Sequence, residues 1–147
     1  MTVSKDEYKK MTEKASPGTT YGKNLFFAFL VGGGICVLGQ ALTNYFLQSG
    51  MDIKGARAWV SICLIALSAV LTALKIYDNI ARVAGAGTLV PITGFANSIV
   101  APAMEFKNEG YVVGIGGKMF VIAGPVLVYG TSAAILYGLI VWFFKLY

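Results

Sequence analysis

The 147-residue chain has no histidine, two cysteines and only 13% charged residues. Without histidine it lacks the usual general base, any serine–histidine pair and the commonest metal ligand. Two cysteines without histidine make a poor zinc site. Enzymatic activity, a bound metal and a cofactor are therefore not expected. The scarcity of charge excludes a further class. A soluble domain carries about a quarter charged residues, and its helices need polar faces. Here the charges cluster and leave uncharged runs at 24–51, 58–74, 83–104 and 119–144. A spanning helix needs about 20 mostly apolar residues, so the chain reads as an all-α integral membrane protein. The first 24 residues are polar and mixed in charge, and the apolar run after them is too long for a leader's h-region. No cleavable leader is expected.

The net charge of +5 is not a nucleic-acid footprint. Lys5, Lys9, Lys10, Lys14 and Lys23 lie in the tail among Asp6, Glu7 and Glu13. The positive-inside rule keeps such a tail cytoplasmic, with attraction to anionic headgroups as a small addition. The expected organisation is a polar cytoplasmic tail at 1–24, broken at Ser16-Pro17-Gly18, and one membrane domain at 25–147.

Residues 25–46 form the expected first span. Gly32-Gly33-Gly34 lets a neighbouring helix approach closely. Gln40 and Asn44 lie four apart and share a face, which should look into the protein because amides in lipid are costly. Residues 47–57 read as a short loop. The second span runs from about 58 to 77, with Trp59 and Tyr77 as interface anchors and Ser68 and Thr72 as a small pair suited to helix contact. Cys36 and Cys63 fall mid-membrane and read as small buried hydrophobes.

The run 83–104, VAGAGTLVPITGFANSIVAPAM, is long enough to cross a bilayer but is not an ordinary span. It holds Gly85, Gly87, Gly94, Pro91, Pro102 and Asn97. Proline breaks the helical ladder, and broken backbone in a membrane is tolerated only inside protein or beside a wet cavity. After the charged link 105–109, residues 110–144 are interrupted once, by Lys118. A half-helix at about 111–122 and a span at about 124–144, joined at Gly124-Pro125, fit that length. The total is about four spans plus one or two broken or re-entrant half-helices, with five spans as the alternative.

Gly85-x-Gly87 and Gly114-x-Gly116 each precede apolar stretches with Gly and Pro. Interrupted segments of this kind mark binding sites in repeat-built transporters, but the unequal spacings do not define a repeat. GAG at 85–87 lacks the rest of a dinucleotide fingerprint, and GIGGK at 114–118 lacks the first glycine and the Ser/Thr of a phosphate loop.

The candidates for a solute pathway are Lys118, Asn97, Gln40, Glu105 and Glu109. Gly85, Gly87, Pro91, Gly94, Gly124 and Pro125 are the points of backbone break or flexibility. An ionisable residue in a membrane run is a functional candidate by default, and Lys118 would attract an anion unless it snorkels to the surface. Asn97 would line a path or satisfy a freed carbonyl. Glu105 and Glu109 share a face if the link is helical; they would hold a cation, pair with Lys107 or Lys118, or simply be solvated. Gln40 reads first as an interhelical hydrogen bonder.

FLVGGGICVLGQ at 29–40 and AGAGTLVPITGFANSIVAPAMEFKNEGYVVGIGGKMFVIAGPVLVYG at 84–130 resemble the SpoVAC/SpoVAEb family of stage V sporulation membrane proteins. The order VPITGFANS, then E-F-K-x-E-G, then K-M-F-x-I-A-G-P carries the likeness, and the polar tail is more similar to the SpoVAC branch. The resemblance implies a spore-forming bacterium and the inner membrane of the spore or forespore. It implies movement of dipicolinic acid, with calcium, into the forespore and out at germination. It also implies partners: a SpoVAEb-type membrane protein and a soluble SpoVAD-type protein. It supplies no solute-binding residues. A planar dianion suits helix N-termini and backbone N–H groups in a broken segment. A chain this small needs copies of itself or a partner to enclose a conduit. Three readings stand: a pore subunit for dipicolinate, a tension-gated and weakly selective pore, and a non-conducting subunit that docks a soluble partner through the tail and the 75–82 turn.

Overall fold

The structure, a computed structural model, describes residues 4–15 and 20–145. The expected break at Ser16-Pro17-Gly18 lies outside the described residues. The tail forms helix α1, Lys5–Ala15, exposed wherever its side chains are described. A reciprocal pair starts it: Ser4 Oγ accepts from the Glu7 N–H, and Glu7 Oε2 accepts from the Ser4 N–H, both at 3.3 Å. This capping box satisfies two orphan donors of the first turn.

Among the described residues, three helical segments are long and apolar enough to cross a membrane: Tyr21–Gln48, Ile53–Ala73 and Tyr111–Phe143. The first is α2 and the second α3. At 1.5 Å per residue, α2 is about 42 Å long and α3 about 32 Å, each enough for a hydrocarbon core of about 30 Å. The loop between them is tighter than the sequence suggested. Gly50 takes φ +87 after the end of α2, and the Asp52 carboxylate accepts from the Gly55 N–H to start α3.

The all-α membrane architecture holds, with one fewer long span than the preferred count. Residues 77–105 divide into three short helices: α4 Tyr77–Ala84, α5 Ala86–Leu89 and α6 Ile92–Glu105. At about 21 Å, α6 does not cross a full hydrocarbon core. The breaks fall at Gly85, with φ +50, and at Pro91, with ψ 162. The last segment opens with a 3-10 turn, Lys107–Glu109, and a π-helical turn, Tyr111–Gly116, before α7, Phe120–Phe143. The interruption expected at Gly124-Pro125 does not occur: Pro125 lies inside α7. Proline forfeits one backbone bond and crowds the preceding Cβ, and Gly124 has no Cβ to be crowded. The irregularity lies upstream, in the wide turn at 111–116.

Packing concentrates on the broken segment. α3 lies against α6, and α2 against α3, α4 and α5. The glycine run of α2 behaves as expected at one position: a Cβ on Gly32 would stand 3.2 Å from the Gly87 carbonyl oxygen, whereas Gly33 and Gly34 face open space. α7 touches mainly α6, buries only Ala123 and is otherwise almost bare.

Two expectations about α2 and α3 are corrected by this packing. Cys36 is exposed and Cys63 half-buried. Gln40 and Asn44 lie on the outer face, where Gln40 Nε2 donates to Asn44 Oδ1 at 2.9 Å. Since the two amides satisfy one another, replacing both with leucine should leave the melting temperature of the isolated chain within about 0.5 kcal/mol equivalent of the parent. Thermal unfolding in detergent checks this.

Candidate functional site: a polar groove along the broken segment

A hydroxyl-rich layer holds α3 to the broken segment. Ser68 is fully buried and donates to the Thr93 carbonyl at 2.6 Å. Thr72 donates at 2.8 Å to its own helix at Ser68 and stands 2.8 Å from Asn97 Oδ1. Tyr77 Oη donates to the Thr88 carbonyl at 2.9 Å and lies 3.1 Å from Thr93 Oγ1. Thr88 Oγ1 reaches back to the Gly85 carbonyl at 3.0 Å. Pro91 has no N–H, so the α5–α6 break leaves carbonyls without helical donors. The Tyr77 hydroxyl reaches one carbonyl at this break, that of Thr88, whereas the Gly85 carbonyl also takes the Thr88 N–H and Thr93 lies inside α6.

Tyr77 was expected to be an interface anchor; it is 4% exposed. The chain ends α3 in a left-handed turn at Lys75, φ +59, with the Ile76 N–H bonded to the Leu71 carbonyl and the Lys75 N–H to that of Thr72. This pattern closes helices and favours glycine at the left-handed position. It turns α4 back so that the phenol points inward. Lys75→Gly should stabilise the fold by up to about 1 kcal/mol by relieving that backbone, measured as a rise in melting temperature.

Two glycines make close approach possible. A Cβ on Gly94 would strike the Thr88 carbonyl oxygen and lie 2.6 Å from that of Leu89; one on Gly87 would strike the Ala28 carbonyl and lie 2.8 Å from its Cα.

Beside the hydroxyl layer runs a groove of about 390 Å³, lined by Tyr77, Thr88, Gly94, Asn97, Ser98 and Glu105 among others. At Ala101 and Glu105 it meets a second hollow of about 520 Å³, whose wall includes Thr72, Lys75, Asp78 and Lys107. Together they run from a mouth carrying both signs of charge to an uncharged, mostly apolar interior that carries the Asn97 amide and the Ser98 hydroxyl.

The structure thus gathers Asn97, Glu105, Gly85 and Gly94 of the sequence candidates onto one groove. Lys118 and Gln40 line neither hollow. Lys118 is half-buried, with Nζ 4.9 Å from the centroid of the Phe106 ring, a cation–π distance. Glu109 is exposed and shares no helical face with Glu105, because α6 ends at Glu105 and Glu109 closes the separate 3-10 turn. Its Cβ packs where Gly114 lacks one. Gly124 and Pro125 lie within α7, away from the groove wall. Residues the sequence reading missed are Tyr77, Thr88 and Thr93. The available signal was the need for donors near Pro91 and the hydroxyls spaced around it.

The sequence pattern of the SpoVAC/SpoVAEB sporulation membrane proteins matches residues 24–140. The chain belongs to this family. It is 43% identical over 146 residues to the Stage V sporulation protein AC of Bacillus subtilis (strain 168), covering 99% of this chain and 97% of that protein. No solved structure matches it. In this sporulation membrane protein the stretch VPITGFANS, residues 90–98, forms the α5–α6 break and supplies Thr93, Gly94 and Asn97.

Proposed function

We propose that this family member is a channel subunit of the inner spore membrane that passes dipicolinate with its calcium, inward during sporulation and outward at germination. The observation that carries the proposal is the groove beside the broken segment, with Asn97 and Ser98 inside it and a mouth where Lys75 and Lys107 stand with Asp78 and Glu105. A planar dianion meets cations there, and its calcium meets carboxylates, which are its preferred oxygen ligands. Irregular backbone beside a cavity is where membrane proteins place solute paths. One groove open along its side is half a conduit. The other half comes from a second copy or from a SpoVAEb-type membrane protein, and a soluble SpoVAD-type protein delivers or receives the solute.

The test is dipicolinate efflux from liposomes holding the purified chain, alone and with a SpoVAEb-type protein, at rest and under osmotic swelling. Asn97→Leu should lower efflux by about tenfold, the size expected when one well-placed polar contact on the path is lost. Glu105→Gln should weaken the dependence on calcium. Unchanged efflux in both variants removes the groove from the path. Efflux that appears only on swelling and does not discriminate among small anions selects the tension-gated pore. Complete silence in every condition leaves the non-conducting subunit.

A further inference from the structure

On the far side of the hydroxyl layer lies a second cavity, about 270 Å³, between α2 and α3. Val31, Gly34, Ile35 and Leu38 of α2 face Leu64, Leu67, Ser68 and Leu71 of α3. Both sets repeat at the spacing of one helical face. The helices meet where Gly39 faces Leu64 and Val60, and they part toward Val31 and Leu71. The hydroxyls that reach this cavity are already engaged: Ser68 on the Thr93 carbonyl, and Tyr77 on the Thr88 carbonyl and beside Thr93 Oγ1. Its surface is therefore effectively apolar, and it is a cleft with Leu38 and Leu67 exposed at its rim, which in a bilayer meets lipid and not water.

Two residues line both this dry cavity and the polar groove: Tyr77 and Thr88. The phenol of Tyr77, tied to the backbone and hydroxyl of the broken segment, is the wall between them. It also sits on a short element bounded at each end by left-handed backbone. α4 is eight residues long and lies between Lys75, φ +59, and Gly85, φ +50. Backbone positions that absorb large dihedral changes are what hinged elements turn on.

We propose that Tyr77 is the gate of this protein: its two hydrogen bonds hold the partition shut, and a swing of α4 that breaks them joins the groove to the cavity between α2 and α3 and lets water into both. The proposal rests on the reading of the groove as a solute path. The apolar side is what makes the closed state tight, since a hydrophobic constriction blocks ions and polar solutes by dewetting.

The experiment uses the full chain in liposomes, with Cys36→Ser and Cys63→Ser as background, and a membrane-impermeant maleimide. Ala101→Cys reports on the groove, and Leu71→Cys on the cavity beyond the partition. With Tyr77 in place, Ala101→Cys should label and Leu71→Cys should stay protected. Adding Tyr77→Phe removes both hydrogen bonds but keeps the ring, and labelling at Leu71→Cys should rise by about tenfold, the shift expected from two ordinary hydrogen bonds. Tyr77→Ala should raise it further. Should Tyr77→Ala fail to fold, judged by helicity and monodispersity, Tyr77→Phe carries the test. Labelling at Ala101→Cys with Leu71→Cys equally protected in folded Tyr77 variants overturns the gate alone. Leu71→Cys labelling freely with Tyr77 intact overturns it too. An unlabelled Ala101→Cys means a dry groove, and the solute path and its gate fall together.

Discussion

Gly87→Ala should unfold or severely weaken the membrane domain, while Gly33→Ala, on the same glycine-rich contact, should melt no lower than the parent. The single added methyl of Gly87→Ala would strike the Ala28 carbonyl and lie 2.8 Å from the Ala28 Cα. Both obstacles are backbone, so no side chain can rotate away. Overpacking a tight core costs about 1–3 kcal/mol when side chains yield, and here α2 and α5 must separate instead. Gly33 has nothing within 4 Å, and alanine there gains helix propensity. The check is the melting temperature and folded yield of both variants in one detergent. Equal yields and equal melting temperatures would mean that α5 does not lie against α2.

The second large effect is expected at Ser68, which is 0% exposed on the face of α3 that α6 covers. Ser68→Ala removes only the donor to the Thr93 carbonyl, a 2.6 Å bond. Thr93 lies within α6, so its carbonyl keeps the helical donor and the loss is one buried hydrogen bond, about 0.5–1.5 kcal/mol; a clear but survivable drop in melting temperature follows. Ser68→Leu adds bulk where α3 and α6 touch and forces them apart, at a further cost of about 1–3 kcal/mol or more. The order parent, Ser68→Ala, Ser68→Leu is the prediction. A melting temperature for Ser68→Leu at or above that of Ser68→Ala would show that the added bulk enters the cavity between α2 and α3 instead of parting α3 from α6. Alternating the two substitutions also separates hydrogen bonding from volume at one position.

The parts of the fold that were legible before any coordinates are those set by composition and by proline chemistry. Membrane insertion follows from the uncharged runs, and the broken character of 83–104 follows from Pro91 and Gly85. Asn97 and Glu105 were on the candidate list because they lie in or beside that run, and both line the groove. Tyr77 was misread because an aromatic residue at the end of an apolar run has the signature of an interface anchor. What reverses its role is a left-handed turn at a lysine, Lys75, and lysine carries no sign of that conformation. Lys118 drew attention as a lone charge in an apolar run, yet its partner is the Phe106 ring, a contact between two residues twelve apart that no helical spacing forecasts. Gln40 and Asn44 were placed inward because lipid penalises free amides; paired with each other, they are not free.

One property of the hydroxyl layer reaches beyond packing. Ser68, Thr72, Tyr77, Thr88, Thr93 and Asn97 bind one another and the backbone through neutral dipoles, whereas the mouth is built from Lys75, Asp78, Glu105 and Lys107. Mobile ions shield exposed charges over about 8–10 Å at ordinary ionic strength, but they have no full charge to shield in the layer. Rising electrolyte should therefore weaken the charged interactions around Lys75, Asp78, Glu105 and Lys107 and leave those of the hydroxyl layer untouched. On the proposed path, choice of solute and tightness of closure would then be two separate quantities, and concentrated salt the reagent that pulls them apart.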